Sequence, residues 1–372
     1  MRSTVTWCCR FDNSSKMAIN VLDVSAFRNI GRAQVEFSPR LTLLVGSNGQ
    51  GKTNLLEAVY VLLQGRDFRT AQEREAIQEG EPVAWLQATG EIQGRPETWR
   101  HRIQRQPSRR THQGPVVPVV LFSPDDVYLA KGSPERRRRF LDLLLAPHDR
   151  HYARSIRAYH RLLLQRNRAL KEAALQTVVD DFTPLLVKEG LYIWQRRRET
   201  LAALLPLAMA IHSQLAPGEA LETALKFGGS LEPIADEGSY YQLINARRGE
   251  ERARQTTLVG PHRDDVVFRL NQRDTTLYAS QGQLRTLALS TKLATHRWLW
   301  NETGIRPIIL LDDVLSELDS ARREALLAAV STTEQQTIVT DTEPRSYASL
   351  EPKILHVERG DVRAWNPPPT RA

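Results

Sequence analysis

The chain has 372 residues, of which 41% are hydrophobic and 25% charged; that is room for two domains and too much apolar content for general disorder. Its longest apolar run, Leu201–Ile211, is broken by Pro206 and falls short of the roughly 20 residues a membrane span needs. The two cysteines, adjacent Cys8 and Cys9, build neither a disulfide framework nor a zinc site of two spaced pairs, so a reducing, cytoplasmic setting with no membrane partner is expected. The net charge is +8, and of 51 basic residues only 8 are lysine. Arginine is the better bidentate phosphate ligand, so its placement matters more than its number.

Residues 1–16 lack hydrophobic periodicity and the apolar core of a secretion signal. They read as a disordered extension or an upstream start, before a strand at Ala18–Val24. The apolar run Leu41–Val45, a glycine loop and helical spacing over Leu55–Leu63 give strand, loop and helix. Further strands are predicted over 83–92, 98–105 and 116–122. From Ser133 glycine nearly vanishes and Leu, Ala and Arg dominate to about Leu215. This predicts a mainly helical insertion, 133–254, dividing an α/β domain into 17–132 and 255–365. Strand texture returns at Thr257–Val259 and Asp265–Leu270, followed by a helix Gln281–Trp300, a strand ending at Asp312, a helix Ser320–Val330 and a strand over 337–340. Residues 366–372 read as a flexible tail.

Two stretches are strongly basic. Arg95–Arg139 holds eleven basic and four acidic residues, and Arg150–Lys171 holds seven basic residues and no acid. At about 100° per residue, Arg150, Arg154, Arg157, Arg161 and Arg168 fall on one helical stripe, with Tyr152, Ile156, Tyr159, Leu163 and Leu170 opposite. A solvated face usually carries both signs, so the five guanidiniums are the candidate DNA-binding residues.

GSNGQGKT, Gly46 to Thr53, matches the P-loop pattern and sits between an apolar strand and a helix, as that pattern requires. Gly46, Gly49 and Gly51, with Ser47, Asn48 and Gln50, let backbone amides converge on phosphate oxygens. Lys52 bridges the outer phosphates, Thr53 offers a hydroxyl to Mg²⁺, and Asn54 follows in the first helical turn. IILLDD, Ile308 to Asp313, is a Walker B strand. Asp312 would hold the metal through water, and Asp313 would orient or deprotonate the attacking water.

SQGQ, with Ser280, Gly282 and Gln283, opens a helix 32 residues before Asp312, and SELD, Ser316 to Asp319, follows the acids closely. In this order and spacing the segments resemble the signature motif and D-loop of ABC-type ATPases. That resemblance implies ATP held between two protomers, each signature helix facing the other's P-loop. With FRNI (27–30), FSPDD (122–126), GSPERRRRFLD (132–142) and LVGPHRDD (258–265), the chain from Met17 to about Val362 resembles the RecF family of bacterial recombination-mediator ATPases. The resemblance implies an ABC-type head without the long coiled coil of SMC proteins. It also implies an ATP-dependent homodimer, weak ATPase activity, binding of duplex DNA near single-strand gaps, partnership with RecR and help in loading RecA.

The chain departs from the wider class at two points. Many ABC ATPases have Glu at the position of Asp313, and a switch histidine where TIVTDTE leaves Thr340 or Asp341; slow hydrolysis is expected. Ser123 to Asp126 is the nearest match to a sensor segment. His262 to Asp265 reads first as a charged turn leading into a strand. The competing reading is the ATPase subunit of a transporter, which shares the motifs but not the arginine-rich insertion. A fused nuclease has no room in the roughly 30 residues after Asp341.

Overall fold

The computed structural model describes residues 16–68, 73–228, 234, 236–315, 318–331, 335–342 and 350–365. Residues 1–15 of the expected extension, the tail 366–372, and Ser316 and Glu317 of SELD lie outside them. The chain divides into two compact units: Met1–Leu121, Leu299–Ser316 and Leu327–Ala372 form the first, Phe122–Trp298 and Glu317–Leu326 the second.

The first unit contains two sheets. One has six strands in the order Asp361–Ala364, Lys353–Glu358, Leu41–Val45, Thr337–Asp341, Ile308–Asp312, Val119–Phe122. Its four middle members from Lys353–Glu358 to Ile308–Asp312 run parallel. Leu41–Val45, Ile308–Asp312 and Thr337–Asp341 are buried at every residue, as parallel strands covered on both faces must be, which is why they read as unbroken apolar runs. The register sets Asp312 beside Thr340 and Asp341 beside Val45. The motif-bearing ends of three strands therefore meet at one edge.

The other sheet is antiparallel, in the order Ile30–Glu36, Met17–Phe27, Val83–Ile92, Arg95–Gln104, Arg109–Gln113. Helix Lys52–Gln64 packs against strands of both sheets. It is apolar almost all round because it is buried almost all round. Leu56, Val59 and Leu63 of this helix share one core with Leu22 and Leu86 of the antiparallel sheet and Leu44, Leu310 and Ile338 of the parallel one. Gly65 ends the helix in left-handed backbone, φ 67°, with its N–H bonded to the carbonyl of Val61.

The second unit is mainly helical: Val127–Lys131, Pro134–Leu145, Arg150–Lys171, Thr183–Leu215, Glu237–Arg254 and most of Gln281–Thr303. Its longest helix has 33 residues, about 50 Å at 1.5 Å per residue, so among the described residues there is no long coiled coil. The unit is wider than the predicted insertion 133–254. It takes in 122–132 and 255–298, and within it strand Asp265–Leu270, expected in the α/β domain, pairs along its whole length with Leu221–Lys226 and then with Arg273–Asp274. The predicted strand Thr257–Val259 is irregular chain. Side chains take its polar groups: Asn167 accepts from the Thr257 N–H at 2.8 Å, and Arg166 donates to the Thr257 hydroxyl at 2.8 Å.

Candidate functional site

Strand Leu41–Val45 delivers the chain into the P-loop at Gly46, where a Cβ would collide with the carbonyl of Val357. Gly49 and Gly51 are left-handed, φ 80° and 111°, a region that costs other residues steric strain. The loop is braced on both flanks. Asn29, from the FRNI turn, donates to the Gly49 carbonyl at 3.3 Å and accepts from Asn54 at 2.7 Å. On the other side Gln50 accepts from the backbone N–H of Arg359 at 2.7 Å and of Gly360 at 2.8 Å. Ser47, Asn48 and Gly49 remain exposed at the tip, ahead of a helix N-terminus whose amides suit an anion. The Lys52 ammonium donates to the carbonyls of Gly46 and Ser47 at 2.6 and 2.9 Å. Burial holds its pKa below the ordinary lysine value, against the pull of Asp313, Asp312 and Asp341.

Thr53 donates to one oxygen of Asp312 at 2.7 Å, and Thr340 donates to the same oxygen at 2.9 Å. The Thr340 hydroxyl also accepts from the Asp313 N–H at 3.0 Å. A threonine hydroxyl beside a carboxylate, next to a phosphate cradle, is a donor set suited to Mg²⁺, which usually takes one or two carboxylates plus substrate oxygens. Asp313 sits in left-handed backbone, φ 49°. Of the two residues left open at the switch position, Thr340 is bonded to both acids, and Asp341 accepts from the backbone N–H of Thr342 at 2.6 Å.

In the second unit Ser280 is the exposed cap of helix Gln281–Thr303. Its hydroxyl accepts from the Gln283 N–H at 3.3 Å, while the Gln283 amide oxygen accepts from the Ser280 N–H at 2.9 Å, a reciprocal capping box. Gln283 also donates to Glu219 at 3.2 Å, so its side chain is engaged within its own unit. Gly282 faces the guanidinium of Arg322, which bonds Thr286 and Asp319 of SELD. Asp126 of the sensor segment accepts from the Ser123 N–H and pairs with Lys292, both at 2.8 Å.

Helix Arg150–Lys171 has the predicted faces: Arg150, Arg154, Arg157, Arg161 and Arg168 are exposed, with Tyr152, Ile156, Tyr159 and Leu170 buried. Leu163 is half-buried. Within the stripe, Arg168 pairs with Glu172 at 2.7 Å, an acid one residue beyond the basic run. The upstream basic stretch is also partly committed. Arg137 makes two bonds to Asp265, at 2.6 and 3.1 Å, and Arg138 donates to the Asp264 carbonyl at 2.7 Å.

LVGPHRDD is a structural hub, in line with its reading as a turn, and more deeply buried than its charge suggested. Arg197, 2% exposed, donates to Asp264 at 2.7 Å, Asp142 at 2.9 Å and the Pro261 carbonyl at 2.8 Å. Trp194 and the Gly228 N–H donate to the other Asp264 oxygen. Burial raises the Asp264 carboxyl despite Arg197, and lowers His262, bonded to Tyr159, to about 4. Nothing in the sequence pairs Arg197 with this segment, since its partners there lie 64 and 67 residues away.

The RecF/RecN/SMC N terminal domain family matches residues 18–359. The chain is 41% identical to the DNA replication and repair protein RecF of Symbiobacterium thermophilum, covering 84% of this chain and 88% of that protein. It is 36% identical to that of Desulfitobacterium hafniense, covering 93% and 99%. Among solved structures it matches the recombination mediator protein RecF-ATP of the RecFOR pathway with a TM-score of 0.86, at 26% identity, over 95% of this chain and 99% of that one. It also matches the Smc head domain of Pyrococcus furiosus, TM-score 0.54, at 15% identity over 94% and 96%, a likeness of fold alone. With a P-loop, a Walker B strand and a capped signature helix on an α/β ABC-type head, the chain belongs to the RecF family.

Proposed function

We propose that the protein is an ATP-dependent DNA-binding protein of recombinational repair, in which ATP joins two copies into a clamp on duplex DNA near single-strand gaps. The observation that carries this reading is the meeting of Lys52, Thr53, Asp312, Asp313 and Thr340 at one sheet edge, with Ser280 left exposed as a helix cap elsewhere. The P-loop amides and Lys52 bind the phosphates. Thr53, and Asp312 through water, would hold Mg²⁺, which would neutralise phosphate charge. Asp313 positions the attacking water, and Ser280 of a second copy completes the phosphate contacts. By family kinship the clamp acts with RecR in loading RecA, and hydrolysis is weak. The relatives' replication and repair names favour this over a transporter subunit.

Ser280→Arg tests the sandwich, because a bulky cation at the exposed cap obstructs a partner while every P-loop residue is left unchanged. The variant is expected to bind ATP normally yet remain monomeric by size in its presence. An ATP-dependent dimer in this variant would remove the sandwich and leave SQGQ as a helix cap.

The stripe is tested by neutralising Arg154, Arg157 and Arg161 together with glutamine. All three are exposed, so the fold should be retained. If each contacts one duplex phosphate, the slope of log K against log salt falls by about 0.9 per residue, about 2.7 in all, alike for unrelated sequences. An unchanged slope in the folded variant would make the stripe a solvated face.

A further inference from the structure

The antiparallel sheet of the first unit covers helix Lys52–Gln64 with one face; its other face meets solvent. Alternation in strand Val83–Ile92 sends Ala84, Leu86 and Ala88 into the core and turns Trp85 and Gln87 outward. Trp85 is 51% exposed. The register aligns two rows across this face: Arg32, Ser25, Trp85 and Arg102 in one, Gln34, Asp23, Gln87 and Arg100 in the next. Residues of both rows line a concavity of about 690 Å³.

The chemistry of these rows is specific. The Arg102 guanidinium lies 5.0 Å from the centre of the Trp85 ring, a cation–π pair that holds the indole in place. Arg100 donates to Gln87 at 3.0 Å and Gln34 to Asp23 at 2.9 Å, so two amides are fixed beside the ring. These two rows hold three guanidiniums and one carboxylate, Asp23; Glu36 stands in the next row opposite Val21, where it pairs with Lys353, and Glu91 lies farther along the strands. A duplex would satisfy the charge but keep its bases stacked and leave the indole uncovered. An apolar protein partner would bury the guanidiniums without counter-charge. An unpaired strand satisfies both, placing phosphates on arginine and a base on the ring.

We infer that this sheet face binds single-stranded DNA, with Trp85 stacking on a base and Arg32 and Arg100 holding the backbone. The inference rests on the DNA-binding reading above and adds a second surface with a different preference: the arginine stripe for duplex, the Trp85 face for unpaired strand. Because Trp85 is a surface residue, its substitution leaves the core intact.

The test measures binding of fluorescent oligothymidine of roughly 20 nucleotides, and of a hairpin-closed duplex, to the full chain with ATP. Trp85→Ala is expected to weaken oligothymidine binding about tenfold or more, Trp85→Phe to restore most of it, and duplex binding to stay unchanged in both. Arg32→Gln with Arg100→Gln should lower the single-strand salt slope by about 0.7 per residue. Unchanged oligothymidine affinity in Trp85→Ala, with duplex binding intact, would overturn the inference alone, and an equal loss on both ligands would overturn the single-strand preference assigned to this face. A wild-type protein that binds neither ligand would overturn the DNA reading itself.

Discussion

Lys52→Ala should lose ATP binding by a factor of at least about 100, measured by titration with a fluorescent ATP analogue. The variant removes a buried cation that donates to two P-loop carbonyls and whose charge-assisted bonds to phosphate contribute about 1.5–3 kcal/mol each. Asp313→Asn should behave differently. Asparagine tolerates the left-handed backbone at this position, φ 49°, and keeps the shape while losing the base, so ATP binding persists and turnover falls about 10²- to 10⁴-fold. Hydrolysis at the original rate in Asp313→Asn would make the carboxylate structural. Wild-type ATP affinity in Lys52→Ala would remove the loop from phosphate recognition.

Arg197→Ala should destabilise the second unit by about 3–5 kcal/mol, because it strands two carboxylates that the guanidinium now pairs. Asp264 is the more exposed to this loss in energy, being the more buried in space. Its carboxyl is already raised by burial, and without Arg197 it rises further. An acid whose folded pKa lies above its unfolded value makes stability fall as pH rises through that interval, so the deficit should be larger at higher pH. Urea unfolding followed by tryptophan fluorescence measures this, with Arg154→Ala on the exposed stripe as a control within about 0.5 kcal/mol. A deficit below about 1 kcal/mol, the same at all pH values, would show that the hub is not what holds the unit together.

The parts legible in sequence were those where one physical cause acts locally. Leu41–Val45 and Ile308–Asp312 are apolar because both faces are covered, and the glycines at 46, 49 and 51 are set by backbone conformation, so strand, loop and acid could be read directly. The helical period of Arg150–Lys171 likewise gave its two faces. What escaped depended on distant pairing. Asp265–Leu270 has strand texture, but only its bonds to Leu221–Lys226 assign it to the second unit. Arg137 and Arg138 look like surface charge until Asp264 and Asp265 are placed against them. Trp85 is a single aromatic in an alternating strand, and its surroundings emerge only from the register of the neighbouring strands.

The bracing of the P-loop by Asn29 and Gln50 bears on the entropy of nucleotide capture. Fixing one residue's backbone costs about 1–2 kcal/mol, and glycine loses more freedom than any other residue. A free loop with three glycines would have to be ordered by its ligand, which would weaken affinity accordingly. Here the turn at Asn29 and the backbone at Arg359 and Gly360 order it during folding. A nucleotide therefore meets a receptor that is already stiff, and under the proposed sandwich the moving part is the approach of the second copy.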